Sequence, residues 1–334
     1  MIALHIILSL APVILLALLL LLLDSYKLVR STAAAGSLIT GAVAALACMQ
    51  LNILLLHRLH FDVTLYTRYL APLLEEGAKA LPIWLLIRKK HVGFLVDSAI
   101  HGAAIGAGFA VIENISYLYG LAESSLMIWF VRGFGTAVMH ASCTALFAIL
   151  CKRRQDRLNH SGLSCWGLAW LAAAAIHSAF NHFILPPLQS TLVILITFPL
   201  FIIAVYENSE RALRKWLTLS MDEEMAMLET ILSGRFSGSK FGQYMLSLRD
   251  HFPPAVVVDL FCYLRIYLEL AMRAKGILLL RQHGLPAKPD AALQEKFTEF
   301  KYLEKSIGRT GKMALVPFMR ITDRELWQLY MLEK

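Results

Sequence analysis

Charged residues are scarce in this sequence. Of its 334 residues, 17% are Asp, Glu, Lys or Arg and 57% are hydrophobic, with a mean hydropathy of +0.59. The apolar residues occur in long runs, which argues against a soluble globular protein and predicts an all-α, polytopic transmembrane helix bundle. Cysteine pairing is also absent: the five cysteines have no paired spacing and no Cys-x-x-Cys motif. We therefore expect neither a disulfide framework nor a thiolate metal site.

Several familiar catalytic and targeting signals are missing as well. The sequence contains no HExxH motif of the zinc proteases and no GxGD aspartyl motif. Residues 1–23 are apolar but carry no basic region at the start and no small-x-small cleavage site before Asp24. This pattern favours a retained first membrane span over a cleaved signal peptide.

Length and hydropathy predict about seven membrane spans. The predicted segments are approximately 2–23, 32–56, 65–87, 93–118, 126–151, 165–185 and 190–206. Basic residues cluster after the first, third, fifth and seventh segments, whereas the alternate loops contain few. We expect the protein to be integral to the plasma (inner) membrane. By the positive-inside rule, its N-terminus is expected outside and its C-terminus in the cytoplasm.

The composition changes after about Glu207. We divide the chain into a transmembrane domain at 1–206, with a motif-bearing core at about 65–185, and a cytoplasmic helical domain at 207–334. The second domain has 19 Lys and Arg against 16 Asp and Glu. This modest basic surplus suits contact with anionic lipid headgroups and does not indicate nucleic acid as a partner. Self-association of the chain is left open.

Within the third predicted span, residues 69–87 read YLAPLLEEGAKALPIWLLI and include Glu75, Glu76 and Lys79. Charges at the centre of a membrane helix cost about 2.5–3.5 kcal/mol each, so these three represent roughly 8–10 kcal/mol. Lys79 lies three and four residues after the two glutamates and can face both. Two adjacent carboxylates cannot cheaply both ionise, and we expect the lysine to keep one of them charged. Such a site can be a structural ion pair or a tuned acid–base centre.

The following spans contain further polar residues. Glu113 and Asn114 lie in the fourth span, and Arg132 is one potential partner of Glu113. His140 lies in the fifth span, on a polar stripe with Arg132 at steps of four residues. The sixth span contains His177 and Asn181, again four residues apart.

Two other polar residues, Asp97 and His101, are also four residues apart, and a hydrogen bond between them is the expected reason for their presence. Gly102 and Gly106 in the same span provide a small-residue face that allows another helix to approach closely.

Carboxylates, imidazoles and an amide on consecutive spans suit hydrolysis. A carboxylate or imidazole can deprotonate water, and His with Asn can donate to an oxyanion. The same groups could instead hold a zinc ion, with His140 and His177 as ligands. The residues alone do not separate a metal-free mechanism from zinc. The alternative function is an ion- or proton-coupled transporter that uses the same buried carboxylates.

Four motifs resemble those of the PrsW family of intramembrane proteases, which is related to the CAAX-processing and bacteriocin-immunity membrane proteases. They are EEGAK (75–79), GFAVIEN (108–114), HASCTALFA (140–148) and HSAFN (177–181). They follow one another in the family's order, and the resemblance covers about residues 30–206.

This resemblance implies an intramembrane endopeptidase that cuts membrane-anchored proteins, anti-sigma factors among them. It implies that Glu75 and Glu76 activate water, that His140 assists, and that His177 and Asn181 stabilise the oxyanion or complete a metal site. Glu113 is carried over as a site residue without an assigned role. The resemblance does not extend to the tail at 207–334.

Overall fold

We analysed a computed structural model of the chain, which describes residues 2–24, 27–60, 62–120, 125–158, 163–285 and 291–319. Across these residues the structure is helical and contains no β-strand. The chain forms two compact units, Met1–Ser209 and Glu210–Lys334.

The first unit is built from helices that overlap the apolar segments of the sequence. In chain order they are α1 (Ile2–Leu23), α2 (Ser31–Leu59), α3 (Val63–Leu65), α4 (Ala71–Arg88), α5 (Leu95–Gly120), α6 (Leu126–Phe130), α7 (Val138–Leu158), α8 (Leu163–Asn181) and α9 (Pro187–Leu232). Within the described residues, four helical stretches are long and apolar enough to cross a membrane: Ser31–Leu59, Leu95–Leu118, Leu126–Asp156 and Pro187–Leu232.

Helix α9 extends far beyond the predicted seventh span, which was expected to end near residue 206. It continues to Leu232 because residues 207–232 contain neither Gly nor Pro to interrupt it. Gly234, with a φ of 70°, follows its end. The boundary between the two units therefore lies inside a continuous helix.

Two π-helical segments interrupt the first unit. We call them π1 (Tyr66–Leu70), which leads into α4, and π2 (Val131–Ala137), which joins α6 to α7. Each has one extra residue per turn, which rotates the side chains that follow relative to a regular α-helix. Helix α4 itself runs unbroken through Pro82.

Glycines allow the helices around the centre of the unit to come close. A Cβ atom on Gly108 of α5 would lie 1.9 Å from the carbonyl oxygen of Leu38 in α2. A Cβ atom on Gly106 would lie 2.4 Å from the carbonyl oxygen of His140 in α7. Only glycine fits at such crossings, where the backbones are in contact. Helix α5 is thereby fixed between α2 and α7.

The expected pairing of Asp97 with His101 is wrong. Asp97 accepts hydrogen bonds from the backbone N–H groups of Gly93 and Phe94, at 2.7 and 2.8 Å, and so caps the start of α5. The Nδ1 atom of His101 instead lies 2.7 Å from the hydroxyl of Ser37 in α2. Unsatisfied N–H groups at the helix start compete better for the carboxylate than an imidazole one turn away.

The second unit has its own hydrophobic core. After the end of α9 it contains α10 (Lys240–Ser247), α11 (Pro254–Gln282) and α12 (Ala291–Leu315). Apolar side chains of α11, such as Leu260, Leu264 and Leu270, are fully buried against residues of the other helices. The spacing of Thr322 and Glu325 is that of a capping box and predicts a further helix start, but these residues lie outside the described part of the chain.

Candidate active site

Five of the six site residues predicted from the sequence form one connected cluster. Glu75 and Glu76 come from α4, Glu113 from α5, His140 from α7 and His177 from α8. The two imidazole rings meet edge to face, with their centroids 4.8 Å apart. Four helices therefore contribute side chains to the cluster.

Glu76 is fully engaged by its neighbours. Its side chain is 1% exposed, and its Oε1 atom accepts a hydrogen bond from Nζ of Lys79 at 2.5 Å. The same oxygen lies 2.8 Å from Nδ1 of His177. Because a carboxylate only accepts, Nδ1 of His177 donates this hydrogen bond, and its other ring nitrogen, Nε2, is the one directed at Glu75. Glu76 thus fixes the orientation of His177.

Glu75 has a different environment although it is the adjacent residue. Its side chain remains 15% exposed, and its Oε2 atom lies 3.9 Å from Nε2 of His177. Its other oxygen accepts a long hydrogen bond of 3.4 Å from the amide of Asn52 in α2. The hydroxyl of Tyr66 in turn donates to that amide's oxygen at 2.8 Å. Glu75 is therefore held on one oxygen and open on the other.

His140 lies between a lysine and a carboxylate. Its Nδ1 atom is 2.8 Å from Nζ of Lys79, and its Nε2 atom is 2.6 Å from Oε2 of Glu113. That oxygen of Glu113 is buried, and no aligned hydrogen bond satisfies it among the described residues. The ammonium of Lys79 also lies 4.6 Å from the ring centroid of Phe109, which helps a buried cation to be tolerated.

Arg132 holds the other side of Glu113. Its Nη2 atom donates to Oε1 of Glu113 at 3.0 Å, and its Nε atom donates to the amide oxygen of Asn114 at 3.1 Å. The amide nitrogen of Asn114 donates to the backbone oxygen of Ser9 in α1 at 2.8 Å. A chain of hydrogen bonds therefore connects α1 to Glu113.

The π2 segment explains how Arg132 and His140 reach the same carboxylate. In a regular α-helix, eight residues at about 100° each leave two side chains roughly 80° apart around the axis. One extra residue in the π turns compensates for about 100°, which returns both side chains to nearly one face. Both then point at Glu113 on α5.

Asn181 is the one predicted site residue that lies apart from this cluster. Its Nδ2 atom donates to the backbone oxygen of Thr67 in π1 at 3.0 Å. One turn earlier on α8, the hydroxyl of Ser178 donates to the backbone oxygen of Arg68 at 2.6 Å. The side-chain amide of Asn181 thus binds a backbone carbonyl of π1 and not a residue of the cluster.

The cluster also has the composition of a metal site. Among the described residues, one group of three potential ligands has its donor atoms within 4.8 Å of one another: Glu75, His140 and His177. Two imidazoles and a carboxylate form a common catalytic zinc set. Glu76 on the far nitrogen of His177 is the outer-shell carboxylate that such histidines usually have. Glu113 occupies Nε2 of His140 in the same outer-shell way. The donor types therefore fit a divalent metal, with Nδ1 of His140 as the ligand atom in place of its contact with Lys79.

Several supporting residues were not found from the sequence. Asn52, Tyr66, Ser178 and Ser9 hold site residues or the segments that carry them. Asn52 offered a signal, since it is a lone amide in the apolar run LNILLL. Tyr66 and Ser178 have no such signal, because hydroxyls are ordinary in membrane helices.

Comparison with known proteins agrees with these features. Residues 25–205 match the family described as PrsW family intramembrane metalloprotease. A similar protein is Protease PrsW of Clostridioides difficile (strain 630), which is 27% identical over 156 residues, or 45% of this chain. The match covers 63% of that relative, so the chain spans less than two thirds of its length. No solved structure matches.

The family match covers more than half of the 334 residues and includes α2 through most of the apolar part of α9. It contains all six predicted site residues and leaves α1 and the second unit outside. This chain therefore belongs to the PrsW family of intramembrane metalloproteases.

Proposed function

We propose that this protein is a membrane-embedded endopeptidase that hydrolyses a peptide bond of a membrane-anchored protein. The observation that carries the proposal is one cluster of two carboxylates and two imidazoles. Glu75 is partly open and Glu76 is enclosed, both on α4, and the imidazoles come from α7 and α8. A purely structural ion pair would need only Glu76 and Lys79. Here Glu75 stays partly exposed next to a histidine whose orientation is fixed.

In the metal-free version of this proposal, Glu75 is the general base. Its open Oε2 atom takes a proton from a water molecule, whose oxygen forms a bond to the scissile carbonyl carbon. When the C–N bond breaks, the proton is returned to the leaving amine. Asn52 supports this role because it holds the other oxygen of Glu75 at 3.4 Å. The partial exposure of Glu75 provides access for water.

Glu76 and Lys79 orient the histidines. Glu76 holds His177 by its Nδ1–H group, so that Nε2 faces Glu75. Lys79 keeps Glu76 charged and lies against Nδ1 of His140. Glu113 and Arg132 hold His140 from the opposite side. These contacts keep both imidazoles in one geometry before substrate arrives, which reduces the reorganisation needed for the reaction.

A metal ion would be held by Glu75, His140 and His177. When bound, zinc would supply a Lewis acid that polarises the scissile carbonyl and promotes deprotonation of water. The contacts of Glu76 with His177 and of Glu113 with His140 would orient the two ligands. The family description as a metalloprotease supports this version over the metal-free one.

The substrate proposed here is a single-span membrane protein, with anti-sigma factors as one class. The enzyme would lie in the plasma (inner) membrane, with about seven spans, its N-terminus outside and its second unit in the cytoplasm. The basic loops after alternate apolar segments support this orientation.

The proposal is tested with purified full-length protein in detergent. The probe is a reporter with one apolar span of about 20 residues joined to a fluorescent protein. We expect Glu75→Gln, Glu76→Gln and His177→Ala to abolish cleavage while the thermal unfolding of the protein remains cooperative. Glu210→Gln, which alters an exposed pair with Arg214, is the matched control and should cut normally. Full activity in all three site variants would refute the assignment.

Metal dependence is tested on the same preparation. We expect one metal ion per chain by elemental analysis and loss of cleavage after treatment with a strong chelator. His177→Ala should lower the metal content in parallel, whereas Glu210→Gln should not. Metal-free protein that still cuts the reporter would exclude the zinc version and leave the glutamate-activated water mechanism.

A further inference from the structure

Pro72 removes a backbone donor at the point where π1 becomes α4. The N–H group of Ala71 bonds to the carbonyl of Tyr66, which is the five-residue spacing of a π-helix. At the five-residue spacing, the N–H group of residue 72 would bond to the carbonyl of Thr67. At the four-residue spacing of an α-helix, the same N–H group would bond to the carbonyl of Arg68. Proline has no N–H group and supplies neither.

Helix α8 supplies side-chain donors to both carbonyls. Nδ2 of Asn181 lies 3.0 Å from the oxygen of Thr67, and the hydroxyl of Ser178 lies 2.6 Å from the oxygen of Arg68. We call this pair of hydrogen bonds the carbonyl clamp. Unsatisfied carbonyls are costly in an apolar environment, so each contact contributes more here than on a wet surface. Pro72 leaves one of these two carbonyls without a backbone donor, and α8 supplies a side-chain donor to each of them.

The carbonyl clamp fixes the position of α8 relative to the reactive carboxylates. Ser178 and Asn181 follow His177 by one and four residues. They are three residues apart and so lie on nearly the same side of α8 as each other. Thr67 and Arg68 lead directly into the helix that carries Glu75 and Glu76. The indole of Trp170, also on α8, donates to the carbonyl of Leu73 near the start of α4 at 3.0 Å. A shift of α8 against π1 would therefore change the 2.8 Å contact between His177 and Glu76.

We propose that Asn181 and Ser178 are positioning residues that act through the backbone of π1, and that Asn181 does not donate to the oxyanion. This proposal rests on the proposed function, since the geometry that the clamp maintains is that of Glu75, Glu76 and His177. It assigns a role to Ser178, and it separates Asn181 from the catalytic histidine that shares its motif.

Kinetics on the single-span reporter distinguish the two roles of Asn181. Loss of one hydrogen bond of the clamp should lower kcat by about three- to tenfold, in Asn181→Ala and in Ser178→Ala alike, with KM unchanged. The Pro72→Ala background restores one backbone N–H, so there the penalty of Asn181→Ala should shrink to less than about twofold. An oxyanion donor would instead cost about 10²–10³-fold in kcat with or without Pro72.

Hydrogen exchange of the backbone tests the clamp without any cleavage assay. We expect amides at 69–76 to exchange about tenfold faster in Asn181→Ala and Ser178→Ala. The control is Thr197→Ala, which removes a hydroxyl bonded within its own helix α9, and it should leave this exchange unchanged. If the alanine variants do not fold, Asn181→Asp removes the donor at constant size and allows the same comparisons.

Unchanged exchange at 69–76, or a kcat loss in Asn181→Ala that Pro72→Ala does not relieve, would overturn the proposal. A wild-type protein that fails to cut any membrane-anchored reporter would refute the proposed function instead. The exchange measurement would still decide whether the clamp holds π1.

Discussion

Each unit of the molecule contains a fully buried lysine paired with a glutamate. Lys79 in the first unit contacts Glu76 and lies 4.6 Å from the ring centroid of Phe109. Lys275 in the second unit pairs with Glu224 and lies 5.0 Å from the ring centroid of Trp216. Both lysine side chains are 0% exposed. Burial, charge pairing and a nearby aromatic ring are therefore common to the two sites.

The difference lies in what surrounds each pair. Nζ of Lys79 also contacts Nδ1 of His140, and the oxygen that it binds on Glu76 also contacts His177. In the described part of the second unit the two histidines, His251 and His283, lie in the turns before and after α11. A buried ion pair is by itself weak support for function. Two imidazoles and an open carboxylate beside it indicate chemistry.

The largest contrast is expected from replacing each lysine with methionine. Lys79→Met leaves Glu76 buried without its cation and releases His140, so we expect about a 100-fold loss of reporter cleavage. Breaking a buried pair also destabilises the protein, by about 3–5 kcal/mol. Lys275→Met should destabilise to a similar extent and leave the turnover of the remaining folded protein unchanged. Equal turnover in both folded variants would remove the distinction between the two sites.

A smaller contrast is expected between two arginines that each contact a glutamate. Arg132→Met frees Glu113 and Asn114, and we expect cleavage to fall about 10–100-fold because His140 loses its support. Arg265→Met removes a half-exposed contact with Glu269 in the second unit and should cost at most about 1 kcal/mol of stability. The measurements are reporter kinetics and thermal unfolding. Normal kinetics in Arg132→Met would contradict the role given to Glu113.

A contrast in stability alone is expected from two glycine-to-alanine changes inside helices. Gly108→Ala places a Cβ atom 1.9 Å from a backbone oxygen of α2, and we expect a loss of about 1–3 kcal/mol. A Cβ atom on Gly276 in α11 meets no atom within 4 Å, so Gly276→Ala should stabilise by about 0.5–1 kcal/mol. Chemical denaturation of both variants provides the measurement. Stabilisation by Gly108→Ala would show that α2 and α5 are not held in close contact.

Much of this arrangement could be predicted from the sequence. The apolar segments overlap helices, because length and hydropathy determine where a chain can be buried in a membrane, but the end of α9 was missed by 26 residues. The sequence analysis groups five residues that the structure also brings together, since buried polar side chains in consecutive spans need one another as partners: Glu75, Glu76, Glu113, His140 and His177.

Details that depend on helix rotation could not be predicted. The π2 segment changes which face Arg132 presents, and nothing in VRGFGTA distinguishes it from a regular helix. Asn181 shares a face with His177, but a backbone carbonyl of π1 competes for its amide. Glu75 and Glu76 have unequal environments because Asn52 of α2 contacts Glu75, whereas Lys79 of α4 contacts Glu76. The spacing of the residues in the sequence does not reveal this difference.

The central claim is that the protein cuts membrane-anchored proteins in a reaction that requires Glu75. The most direct measurement is mass spectrometry of membrane fragments from cells that contain either the wild-type protein or Glu75→Gln at equal abundance. We predict fragments with new termini in or beside an apolar span that appear only with the wild type. Identical fragment sets from the two kinds of cells would contradict the account.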